Sequence, residues 1–203
     1  MKTNALILFF VLSSLLYLGC NQEKSNKDMI AGKPDSATMA EMKKAVLKYD
    51  DRGNIIERKD VMFTPNKRIG NRNFYTYKFD EKNNRIQEVS MTYDTTNRRV
   101  MKTVCDFTYN ELNQKVQTVF VSYDDTDKEL SWVKNVFKYD KNGFEIEDTQ
   151  YLKDGSKLTS MQRVRDEQGR IFEEIYYSYN PDGTVKETKG IQYDATGRVL
   201  KTY

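Results

Sequence analysis

From residue 49 onward an aspartate or asparagine is followed three places later by glycine, asparagine or aspartate nine times: Asp50/Gly53, Asp80/Asn83, Asp94/Asn97, Asn110/Asn113, Asp124/Asp127, Asp140/Gly143, Asp166/Gly169, Asn180/Gly183 and Asp194/Gly197. Chance does not produce that series. The first position suits the start of a type I turn, where a short side-chain oxygen accepts from backbone amides two residues on. The fourth holds the residue types that tolerate the left-handed conformation. In Asn180-Pro181-Asp182-Gly183 a proline also supplies the fixed φ of the second position. Such a turn, closed by a left-handed residue, connects β-hairpins.

An aromatic residue stands directly before eight of the nine turns (Tyr49, Phe79, Tyr93, Tyr109, Tyr123, Tyr139, Tyr179, Tyr193), and only Arg165 breaks the rule. Successive turn positions lie mostly 14 or 16 residues apart. That leaves room for strands and not for crossover helices. Two longer gaps each hold a further turn signal, Thr64-Pro65-Asn66-Lys67 and Lys153-Asp154-Gly155-Ser156. The spacing therefore predicts an all-β fold, an antiparallel meander of about a dozen strands over residues 43–203. Met101, Thr103, Cys105, Phe107 and Tyr109 alternate with Lys102, Asp106 and Thr108, as strand pleating requires. Even turn spacing puts Tyr77, Phe79, Phe107, Phe137 and Tyr139 on one face, and Phe74, Phe120, Trp132, Phe144 and Phe172 on the other. A two-residue turn at Asp154-Gly155 would exchange the faces beyond it. Aromatics on both sides predict a twisted, curved sheet.

The composition excludes several chemistries. The chain of 203 residues contains no histidine, which removes the commonest general base and metal ligand. Its two cysteines, Cys20 and Cys105, are too few for a disulfide framework or a cysteine-based zinc site once Cys20 is modified. The formal net charge is +3 with both signs mixed throughout, so nothing in it points to nucleic acid.

Met1 to Gly19 carries Lys2 and then an apolar run from Ala5 to Leu18, the pattern of a signal peptide. It is short for a membrane-spanning helix, and a polar segment from Asn21 follows it. Tyr17-Leu18-Gly19-Cys20 resembles a bacterial lipoprotein box, with Tyr17 where leucine is usual. The resemblance implies lipidation of Cys20, anchoring to the outer membrane, and a polar tether over residues 20–42. An ordinary secretory leader cut near Gly19 is the alternative. Ser36 to Lys44 reads either as a short helix capped by Asp35 or Ser36, or as a lead into the first strand.

Tyr193-Asp194-Ala195-Thr196-Gly197-Arg198-Val199 resembles the signature of YD-repeat (Rhs-type) proteins. Partial copies run from Asp166 to Ile171, Tyr139 to Gly143 and Tyr49 to Ile55. The resemblance implies an extended β-repeat sheet in the envelope or at the cell surface. It carries over no catalytic residues, and a chain of this size is too short for the cargo-enclosing shells of the large members.

Candidate reactive groups each meet a plainer explanation. Glu145 with Glu147, and Glu173 with Glu174, are carboxylate pairs of the kind glycosidases use, but a solvated strand face balanced by lysines is the better account of them. Asp124-Asp125-Thr126-Asp127 lacks the alternating ligands of a calcium loop. Cys105 reads as an inert, strand-borne thiol. The tyrosines are candidates for a ligand-stacking surface as well as for cross-strand pairing. A transmembrane barrel fails on Glu57-Arg58-Lys59-Asp60 and Lys186-Glu187-Thr188-Lys189, which charge both faces. The expected protein is a non-enzymatic envelope lipoprotein that binds a protein or glycan, with no metal or cofactor. A polysaccharide-acting enzyme and a purely structural lipoprotein are the alternatives.

Overall fold

The computed structural model describes residues 47–63 and 69–203. The signal peptide, Cys20, the tether and the turn at Thr64-Pro65-Asn66-Lys67 lie outside the described residues.

The strands are β1 (Lys48–Tyr49), β2 (Ile55–Phe63), β3 (Ile69–Phe79), β4 (Arg85–Tyr93), β5 (Arg99–Tyr109), β6 (Lys115–Tyr123), β7 (Glu129–Tyr139), β8 (Glu145–Tyr151), β9 (Lys157–Arg165), β10 (Ile171–Tyr179), β11 (Val185–Tyr193) and β12 (Val199–Thr202). They form one antiparallel sheet in chain order from β1 to β12, and the sheet does not close. Among the described residues, each strand packs against its neighbours in the sheet and against no second layer. Turns alternate between two ends. Those at 50–54, 80–84, 110–114, 140–144, 166–170 and 194–198 make the near end, and those at 94–98, 124–128, 152–156 and 180–184 the far end.

Every described turn has the same two backbone bonds. In the 180–184 turn the Asn180 amide donates to the Thr184 carbonyl at 2.8 Å, and the Gly183 amide to the Asn180 carbonyl at 2.9 Å. The fourth residue is left-handed throughout: Asn83, Asn97, Asn113 and Asp127 have φ of 63–66°, and the glycines at that position 79–86°. Gly183 has φ +85° and open space where a Cβ would stand, so a side chain there meets only backbone strain. Gly183→Val is therefore expected to cost about 1–2 kcal/mol more than Gly183→Asn. Thermal melts of the two variants check this, and equal melting temperatures would refute it.

The turn between β8 and β9 corrects the two-residue reading. Leu152 donates to the Ser156 carbonyl at 2.9 Å and accepts from Gly155 at 3.0 Å, so the loop is the same five residues as elsewhere with leucine in first place. Both bonds are backbone bonds, which leucine makes as well as aspartate. The side-chain role passes to Asp154, whose carboxylate accepts from the Ser156 amide and hydroxyl.

A second feature overturns part of the face assignment. In each hairpin with a described turn, one residue of the returning strand has no opposite number. These are Ile56, Ile86, Val100, Val116, Leu130, Ile146, Leu158, Phe172, Lys186 and Leu200. Such a bulge shifts the inside-outside alternation by one residue. The face that carries Tyr77, Phe107 and Phe137, here the front, therefore takes odd-numbered residues from β3, β5 and β7 but even-numbered ones from β4, β6 and β8. Phe120, expected on the opposite face, pairs with Cys105 and lies on the front. Phe74 and Trp132 do lie on the back.

Apolar burial is thin and central. Among the described residues the buried apolar side chains are Phe107, Val121 and Phe137, accompanied by Thr118, Ser122, Thr149 and Ser160. Long cations complete the cover: Arg85 lies 5.3 Å from the Phe107 ring and Lys115 lies 4.9 Å from Phe137, so their stems shield the rings.

Candidate functional site

Along the near end, the fifth residue of each turn reaches the fourth residue of the next. Asn54 donates to the Asn83 side chain at 3.0 Å, and Asn84 to the Asn113 side chain at 2.5 Å. Gln114 donates to the Gly143 carbonyl at 3.4 Å. At the next step the ring of Phe144 lies against Gly169, where any Cβ would stand, with the Arg165 guanidinium 5.7 Å from the ring centre. These contacts form a ladder of turns.

A second ladder runs beneath it on the front face. The residue before a turn reaches back to the first strand residue after the previous near-end turn: Tyr109 donates to the Arg85 carbonyl at 3.1 Å, and Tyr139 to the Lys115 carbonyl at 2.7 Å. Arg165, which breaks the aromatic rule, makes the same contact by another route, with its Nε donating to the Glu145 carbonyl at 3.1 Å. The neighbouring column changes in step. Where earlier repeats set Arg85 against Phe107 and Lys115 against Phe137, this repeat sets Glu145 against Arg163. A cation–ring contact has become an ion pair at one fixed place in the repeat.

The ion pair extends into the most elaborate polar cluster on the front face. Arg163 donates to Glu145 through one terminal nitrogen and to Glu174 through Nε at 3.3 Å, with the side chains of Arg163, Glu145 and Glu174 only 16%, 28% and 14% exposed. The second oxygen of Glu174 accepts from Tyr193 at 2.8 Å and Tyr176 at 3.1 Å. Burial, with the Glu174 charge beside it, pushes the Tyr176 phenol up to about 12. The hydrogen bond to Glu174 raises Tyr193 as well.

The turn ladder lapses beside this cluster. The fifth residue of the 166–170 turn is Arg170, and it folds back onto Asp166 of its own turn at 2.6 Å. No bridge to Gly197 forms, and a groove of about 550 Å³ lies between the two turns. Arg165, Arg170, Ile171, Glu174, Tyr193 and residues 194–197 line it. Its size falls within the usual range for ligand sites.

The sequence candidates distribute as follows. Asp50, Asp140, Asp166, Asn180 and Asp194 open turns, and Gly53, Gly143, Gly169, Gly183 and Gly197 take the left-handed fourth position. Glu145 and Glu147 do not share a face. Ile146 is the bulge residue between them, so Glu145 meets Arg163 on the front while Glu147 meets Lys138 at 2.9 Å on the back. Glu173 and Glu174, being adjacent, also part: Glu173 accepts from Gln192 and Tyr203, and Glu174 from Arg163. The carboxylates that converge are Glu145 and Glu174, and the Arg163 guanidinium stands between them. Asp124 spends one oxygen on the Thr126 and Lys128 amides, and Asp127 pairs with Arg99 at 3.0 Å. Cys105 is half-buried on the front face between Glu88 and Phe120. On the back face the far-end tyrosines Tyr123, Tyr151 and Tyr179 are half-buried, with Lys102, Lys134 and Lys157 5.1–5.4 Å from their rings.

No protein-family model matches the chain, and no curated protein is similar to it. Solved structures are. The chain is similar to part of the TcdB2–TccC3 complex (10% identity, TM-score 0.31, over 76% of this chain and 9% of that one). It is likewise similar to part of the Tc holotoxin pore of Photorhabdus luminescens (9% identity, TM-score 0.33, over 74% and 10%). A Bacteroides fragilis protein of unknown function matches at 12% identity and TM-score 0.19, over 65% of this chain and 91% of that one. The chain spans about a tenth of the length of the toxin chains it matches.

Proposed function

We propose that this is a non-enzymatic cell-envelope lipoprotein, anchored to the outer membrane through lipid on Cys20, whose β-repeat sheet presents a binding surface to a protein or a glycan. The observation that carries the reading is the open, single-layer sheet with half-buried tyrosines on both faces and a groove at its near end. Aromatic side chains with one wet edge are what binding surfaces enrich. The polysaccharide-cleaving alternative requires two carboxylates to face an open space of roughly 5–10 Å, and Arg163 fills the space between Glu145 and Glu174.

Two measurements test the proposal. Intact-mass analysis of the membrane fraction should show an acylated mature chain, and Cys20→Ala should remove it; an unmodified chain cut by the ordinary peptidase refutes the anchor. Purified protein should bind a glycan or an envelope protein without turnover, and paired Tyr123→Ala and Tyr151→Ala changes should abolish binding while the chain stays folded, with a loss of melting temperature no larger than that of Phe74→Ala, which should bind normally. Release of sugar that is lost on Glu145→Gln or Glu174→Gln would make the protein an enzyme.

A further inference from the structure

The geometry points to the groove between residues 166–170 and 194–197 as a seat for one aromatic side chain of a partner protein, an inference that rests on the binding function proposed above. The chain itself shows what such a seat holds. One step earlier along the near end, the tip of the Phe144 ring fills the place where a Gly169 Cβ would stand, with the Arg165 guanidinium 5.7 Å from the ring centre. Gly197 is the counterpart of Gly169, with φ +82° and nothing within 4 Å of where its Cβ would stand. Tyr193 is the counterpart of Arg165, standing immediately before its turn. Arg170 is the counterpart of Phe144, and it has turned away onto Asp166 and Gln168.

The other steps of the ladder are filled by Asn54, Asn84, Gln114 and Phe144, so this one lacks only its fifth-position side chain. A ring entering from outside would rest on Gly197 as Phe144 rests on Gly169. Ile171 would lie along its apolar edge, and the Tyr193 ring and Arg165 guanidinium would offer edge-to-face and cation–ring contacts. The charges that line the groove balance, since Arg165 and Arg170 stand with Glu174 and Asp194. That favours a neutral ring over a charged group.

The test titrates the isotopically labelled full chain with N-acetyl-phenylalanine amide, N-acetyl-tryptophan amide and N-acetyl-leucine amide, following the Thr196, Gly197 and Tyr193 amide signals. The aromatic probes should shift these signals saturably and bind about fivefold more tightly than the leucine probe, the factor a ring contact supplies. Arg170→Phe should place the chain's own ring in the groove and abolish the shifts. Gly197→Asn, a residue that three other turns already hold left-handed, should obstruct it likewise while the fold persists. Equal binding of the leucine probe, or shifts that survive in the Arg170→Phe chain, overturn the inference. A methyl glycoside that moves the same signals when the aromatic probes do not assigns the groove to a sugar and overturns it too, leaving the wider binding function standing. Failure of both protein and glycan screens would instead remove that wider function.

Discussion

Replacing Phe137 by alanine is expected to cost about 3–5 kcal/mol and to lower the melting temperature by roughly 10 °C or more. At 3% exposure it is the most deeply buried of the apolar side chains described. A layered protein spreads such a loss over many contacts. Among the described residues this sheet has no second layer, and the Phe137 ring is held by its strand neighbours and by the Lys115 stem over its face. Only the Lys115 stem and the strand neighbours can close over the space that alanine would leave. Phe74, on the back face and 37% exposed, supplies the control. It contributes partial burial and an edge-to-face contact with Tyr93 at 5.3 Å, so Phe74→Ala should cost only about 1–2 kcal/mol. Denaturant unfolding of both variants checks the difference. Equal losses would show that stability is not concentrated at the middle of the front face.

The contrast between these two rings also marks where the sequence was legible. Turns could be read because their chemistry is local: an Asx oxygen and a left-handed residue three places apart identify a hairpin from a few positions. The bulges could not be read that way, because nothing in the backbone bonding of an extra residue is written in a side chain. A signal did exist. Six places after each turn opening stands Ile56, Ile86, Val100, Val116, Leu130, Ile146, Leu158, Phe172 or Leu200, with Lys186 the exception, and that recurrence marks the bulge. Missing it misplaced Phe120 and paired Glu145 with Glu147.

The front-face cluster was hidden for a different reason, since Arg163 lies 18 residues from Glu145 and 11 from Glu174. Aligning repeats on their turns would have exposed it. Arg163 occupies the column of Phe107 and Phe137, and Glu145 that of Arg85 and Lys115, an exchange of ring and cation for cation and anion. The groove follows from the same alignment, because Arg170 is the one fifth-position residue among the near-end pairs that spans nothing.

Acid should destabilise this protein progressively below about pH 4, with the turns contributing. Asp94, Asp124 and Asp194 accept from the side-chain hydroxyls of Thr96, Thr126 and Thr196, with further bonds from backbone amides, and these bonds hold each carboxyl below its ordinary 3.8. Asp154 and Asp182 are lowered in the same way by Ser156 and Thr184, and Asp50 and Asp80 by Asn54 and Asn84. A group whose folded pKa is depressed stabilises the fold above its unfolded value and loses that contribution as pH falls through the folded value. The window therefore opens near 3.8 and runs downward. Each turn aspartate is exposed and its own share is small, but the repeat multiplies it along both ends of one sheet. Asn110 and Asn180 open the same turn without a titrating group, which shows that asparagine can serve there. A chain carrying Asp94→Asn, Asp124→Asn and Asp194→Asn should accordingly fold at pH 7 and lose less stability than the parent between pH 7 and pH 3. Denaturant midpoints at the two pH values measure it. If parent and triple variant lose the same amount, the turn carboxylates are not what acid attacks.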